Sequence, residues 1–127
     1  MRTDLQARGE YWIKRLADEY GLHVAAGAWR FEYRQLGAVY GRTHERPRLV
    51  QIHVGLATLD VALLDEMLVH ELIHATGVYD HGPTFKRRYA RVYPWAKPGP
   101  VTEFDPGTPR RVLWQRIKRE LPLAGRS

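Results

Sequence analysis

Residues 60–77 constrain the fold of this 127-residue chain more than any other stretch. Asp60 is a good helix N-cap, Gly77 suits the left-handed turn that ends a helix, and residues 61–76 between them are rich in Leu, Met and Ala. A helix this apolar is central and mostly buried, so the remaining elements must wrap it. Among the polar side chains that interrupt it, His70, Glu71 and His74 cluster within five residues. Imidazoles and a carboxylate placed in so apolar a setting are costly unless something compensates them.

The wrapping elements follow from periodicity. Leu5, Trp12, Ile13, Leu16 and Tyr20 recur at helical spacing before Gly21, which predicts a helix over 4–20. Residues 28–36 alternate with period two, setting Trp29, Phe31 and Tyr33 opposite Arg30, Glu32 and Arg34, as in a strand with one polar face. The apolar piece 38–40 and the run 49–54 read as two further strands, joined by an exposed loop over 42–48. Pro83 and Thr84 open a helix in which Phe85, Tyr89 and Val92 share a face, and Pro94 ends it. Residues 94–109 hold five prolines and two glycines and read as irregular; a basic helix is expected over 109–121. The length fits one α+β domain over 1–127, with a core at about 29–93 and a basic extension over 94–127.

Charge divides the chain. Residues 1–83 carry 9 Lys/Arg against 11 Asp/Glu, and residues 84–127 carry 11 against 3, so the net charge of +6 belongs to the C-terminal third. A basic segment of this kind suits a polyanion, because each neutralised phosphate releases counterions. Trp95 and Trp114 lie among those basic residues and could stack bases of a single strand or pack the tail. With no cysteine, there is neither a disulfide framework nor a cysteine zinc ribbon, and a metal site must use His and carboxylates. No apolar run approaches the length of a membrane span, and residues 1–20 do not read as a secretory signal, so the expected location is cytoplasmic with no membrane partner.

The pattern His70-Glu71-Leu72-Ile73-His74 gives the interruption of the apolar helix a chemical sense. Histidines four apart lie one turn apart on one face and can reach a single zinc ion at about 2.0–2.1 Å. Glu71, rotated by about 100° from His70, can act on a water without ligating the metal. It is the candidate catalytic base. A third ligand is required, and a turn after Gly77 would return Asp80 or His81; His81 is favoured because zinc prefers imidazole and Phe85 can anchor the helix that follows. Asp80 would then orient a ligand imidazole.

In His70 to Ala75, in His81-Gly82-Pro83-Thr84-Phe85-Lys86, in Leu36-Gly37 and in the strand-like 50–56, the chain resembles the SprT-like zinc metallopeptidases. The resemblance covers about residues 29–93. It implies a compact zincin fold with an antiparallel sheet packed on the active-site helix, Zn2+ held by His70, His74 and His81, and Glu71 as base. It also implies cleavage of proteins, in several members those bound or crosslinked to DNA. Many members carry a cysteine zinc ribbon after the protease core; here the basic extension would have to make the single- or double-stranded DNA contact instead.

The same residues also bear on other readings. A YbeY-like endoribonuclease is suggested by residues 77–81 but lacks a glutamate after the first histidine. ImmA/IrrE-like regulatory peptidases share the two-histidine helix without the His81-to-Phe85 pattern. A non-catalytic nucleic-acid-binding zinc module would be closed by four protein ligands. Tyr79, Tyr89 and Tyr93 are candidate oxyanion donors. His53 is expected at the surface and Glu66 as a solvated helix carboxylate; His23 and His44 receive no role.

Overall fold

The computed structural model describes residues 2–93 and 117–123. Helix α1 (Leu5–Tyr20) starts where the Asp4 carboxylate accepts from the Ala7 amide. Three short strands follow, β1 (Arg30–Arg34), β2 (Gly41–His44) and β3 (Leu49–His53), then a 3-10 turn (Val54–Thr58). Helix α2 (Val61–Ala75) is capped by Asp60 through the Ala62 amide, and α3 (Pro83–Val92) begins at the expected proline.

The strand order is β1-β3-β2, with β3 antiparallel to β2 and parallel to β1. The sheet is therefore mixed, where a wholly antiparallel one was expected. The cause is topological: β3 returns from the β2 hairpin and inserts between its two predecessors, which composition does not encode. The second strand is also displaced. It spans Gly41–His44, taking 42–44 from the expected loop and leaving 38–40 outside, because main-chain pairing to β3 compensates a polar sequence as well as an apolar one.

Helix α2 is the centre. Eleven of its 15 residues are buried, among them Leu63, Leu64, Met67, Leu68, Leu72 and Ile73. Trp12 and Leu16 of α1, Phe31, Val50 and Ile52 of the sheet, and Phe85, Tyr89 and Val92 of α3 close around it. A bidentate bond joins Arg8 to Asp65 at 2.6 and 2.7 Å, and the Trp12 indole donates to the same carboxylate at 2.9 Å, fixing α1 on α2. Gly77 takes φ +104 just past α2, a backbone state that a side chain would strain.

The outer face of the sheet carries a polar chain in which Gln51 donates to Glu32 at 2.8 Å and meets His44 Nε2 at 2.9 Å. His53 is buried rather than exposed. Its Nδ1 accepts from the Gly55 amide at 3.0 Å, capping the 3-10 turn where the central strand ends. Of the expected C-terminal helix, 117–120 are helical, with Ile117 and Leu123 buried and residues 118–120 exposed; the Leu121 carbonyl accepts from the Tyr40 hydroxyl. Trp95, Trp114 and the rest of the basic extension lie outside the described residues. Among the described residues no helix is long and apolar enough to cross a membrane.

Candidate metal centre

A spacing of four residues, about one turn, puts His70 and His74 on one side of α2, and the short turn after Gly77 brings His81 back to them. The His81 Nε2 lies 3.2 Å from His74 Nε2 and 3.3 Å from His70 Nε2, and one ligand atom from each residue falls within 4.8 Å of the others. Donors held tetrahedrally at 2.0–2.1 Å from zinc stand about 3.3–3.4 Å apart, so the two separations made by His81 match those of ligands to one such ion.

The tautomers agree with this. His74 Nδ1 is 2.7 Å from the Val78 carbonyl, which can only accept, so the proton sits on Nδ1 and the Nε2 lone pair faces the cluster. Burial is the main cause pushing the His74 pKa below its ordinary value, with the neighbouring His81 adding to it and the Val78 bond opposing. A neutral imidazole is the ligating form. Phe85 braces all three rings, stacked on His74 at 4.7 Å between centroids and edge-on to His70 and His81 at 5.0 Å each.

Asp80, expected to orient an imidazole, turns instead to accept from the Gly82 amide at 3.0 Å and shapes the loop that delivers His81. The Val78 carbonyl does the orienting. A main-chain atom leaves no signature in the sequence.

Glu71 lies beside the histidines without joining them; its Oε2 is 3.9 Å from His70 Nε2. Only 5% of the residue is exposed, and desolvation raises its pKa from 4.5 to about 7, although a bond from Thr43 opposes the shift. The Thr43 hydroxyl is 2.9 Å from both Glu71 Oε1 and the Glu71 carbonyl. A carboxyl group poised near neutrality can both take and return a proton. Gly41 makes room for it, since a Cβ there would stand 2.9–3.0 Å from Glu71 Cγ, Cδ and Oε2. Neither Thr43 nor Gly41 was singled out by the sequence, because both come to Glu71 through sheet pairing.

The cleft holding these groups has a volume of about 430 Å³, walled by residues 38–43 and floored by Met67, His70, Glu71 and His74. Among the described residues β2 is an edge strand that pairs only with β3. Tyr79 is the candidate oxyanion donor that lines the cleft; 44% exposed, its ring lies parallel to His74, and burial raises its pKa, so it remains a donor at neutral pH. Tyr89 is committed elsewhere, donating to Glu66 at 2.7 Å in the interior. Tyr93 is absent from the cleft lining, and burial raises its pKa strongly. Glu66 is 0% exposed, contrary to its expected solvated position, because the pitch of α2 directs it toward α3.

No protein-family model matches the chain, and no match emerges among curated proteins. Among solved structures, the chain is similar to the metallopeptidase zymogen abylysin of Pyrococcus abyssi, with a TM-score of 0.66 and 18% identity over 91% of this chain and 97% of that one. This likeness establishes the fold, which the two chains share as an α+β architecture.

Proposed function

We propose that this chain is a cytoplasmic zinc-dependent endopeptidase of SprT-like type, acting on unfolded or DNA-associated protein. The observation that carries the reading is the convergence of three imidazole nitrogens, all within 4.8 Å of one another, beside a buried carboxylate outside the ligand set. His70, His74 and His81 would hold the ion, and Zn2+ when bound supplies the Lewis acidity that polarises a carbonyl and activates water at neutral pH.

The protein groups divide the remaining work. Glu71, buried and held by Thr43, takes the proton of the attacking water and hands it to the leaving amine. Tyr79 donates to the oxygen that gains charge. The edge of β2, without a second strand partner among the described residues, aligns an extended peptide by main-chain bonds, which gives wide sequence tolerance. Single- or double-stranded DNA is the partner assigned to the basic extension, where 11 of the 20 Lys/Arg lie beyond residue 83.

The test is cleavage of a DNA-binding protein by the zinc-loaded chain, with and without single-stranded DNA, beside Glu71→Gln. Glu71-dependent cleavage that rises with DNA supports the whole reading. Glu71-dependent cleavage indifferent to DNA leaves the peptidase and removes the DNA partner. Absence of cleavage in both conditions, with RNA cut instead, rejects the peptidase.

A further inference from the structure

The buried Glu66 carboxylate lies outside the cleft lining and takes no part in the chemistry above. It stands one turn before His70 on α2, fully buried, and its Oε1 accepts a 2.7 Å bond from the Tyr89 hydroxyl of α3, a residue itself only 2% exposed. Placing a carboxylate in an interior is costly unless strong donors compensate it, and a leucine would pack there more simply.

Two further observations connect this pair to the histidines. The Tyr89 ring lies edge-on to His70 at 5.9 Å and stacks on Phe85 at 5.8 Å, and Phe85 touches all three imidazoles. In addition, His81 precedes the first residue of α3 by two positions, so the placement of α3 on α2 sets His81 relative to His70 and His74. A shift of α3 by half an ångström would open the 3.2 and 3.3 Å separations among the ligand nitrogens.

We infer that the Glu66–Tyr89 hydrogen bond is a strut for the metal centre: it fixes α3 against α2, brings His81 into register with the helix-borne histidines, and holds the ring that backs His70. Glu66 and Tyr89 are positioning residues, acting through His81 and His70. The inference rests on the metal reading above. It explains why a polar pair occupies a place in the core where apolar side chains would do for packing alone: a directional bond specifies one helix register, and hydrophobic contact tolerates several.

The experiment measures zinc affinity of the full chain by competition with a chromophoric chelator, for the parent, Tyr89→Phe, Glu66→Leu and Glu66→Gln. Metal-free thermal melts accompany each variant. Tyr89→Phe keeps the ring and removes one oxygen, and it is expected to weaken zinc binding about 10–100-fold, the usual cost of disturbing the groups behind metal ligands. Glu66→Leu should match it. Glu66→Gln still offers an amide oxygen to the tyrosine and should stay within a few-fold of the parent. Cobalt substitution adds a spectroscopic readout, since a displaced histidine changes the visible absorption of the bound ion.

A Tyr89→Phe variant that binds zinc like the parent, whatever its melting temperature, overturns the strut. Equal losses in Glu66→Gln and Glu66→Leu overturn it too, because the carboxylate charge would then matter and the bond would not. A parent that binds no zinc overturns the metal reading itself, which separates the two failures.

Discussion

Replacing Glu71 by glutamine should make the metal-free protein more stable, by an amount that is near zero at pH 4 and grows as the pH rises from 4.5 to about 7. The carboxylate is buried, and desolvation raises its pKa from 4.5 in the unfolded chain to about 7 in the fold. Below pH 4.5 both states hold the proton and ionisation costs nothing. Between 4.5 and about 7 the unfolded chain releases its proton while the folded one keeps it, so stability falls as pH rises. Above that window the folded protein bears the full cost of an ionised buried group. At 1.36 kcal/mol per pH unit of displacement, that cost is about 3 kcal/mol. Glutamine has nearly the same shape, can still accept the Thr43 hydroxyl, and carries no charge. Urea unfolding of chelator-stripped parent and Glu71→Gln at pH 4, 6 and 8 should therefore show a gain near zero at pH 4 that grows toward about 3 kcal/mol at pH 8. A gain independent of pH, or no gain at pH 8, would refute the claim that Glu71 is held as a strained, proton-exchanging group.

Two other perturbations read different parts of the structure. Gly41→Ala would set a Cβ 2.9 Å from Glu71 Cγ, so the carboxylate must retreat by about half an ångström. Since a misplacement of about 1 Å can cost about 100-fold, peptide turnover should fall about tenfold at unchanged zinc content, and an unaltered kcat would show that the base is not confined by β2. Asp65→Ala strands the Arg8 and Trp12 donors that tie α1 to α2 and should cost about 2–3 kcal/mol in urea unfolding, because charged hydrogen bonds at a half-buried site are lost together. A loss under about 0.5 kcal/mol would mean that α1 is held by apolar packing alone.

The helices were legible because their signals are local: Asp60 as a cap, Gly21 and Gly77 as stops, Pro83 at the start of α3, and an apolar face in each. The sheet was less so. Residues 41–44 form β2 despite a composition suited to a loop, since strand pairing is decided by a partner distant in sequence. His53 and Glu66 were misplaced for the same reason, as a polar residue is assigned to solvent until something buried is found to accept it.

Within the candidate metal centre, the sequence by itself determined the two helix histidines and the glutamate between them, because a 3.6-residue pitch converts that spacing directly into one face and one offset. It also put His81 within reach through the turn after Gly77. Only the tertiary structure decided that Val78 and not Asp80 orients an imidazole, that Thr43 and Gly41 hold and admit Glu71, and that Tyr79 lines the cleft while Tyr89 does not. Those contacts join residues on different elements, whose meeting depends on how strands and helices pack, and packing is a property of the whole chain rather than of any segment of it.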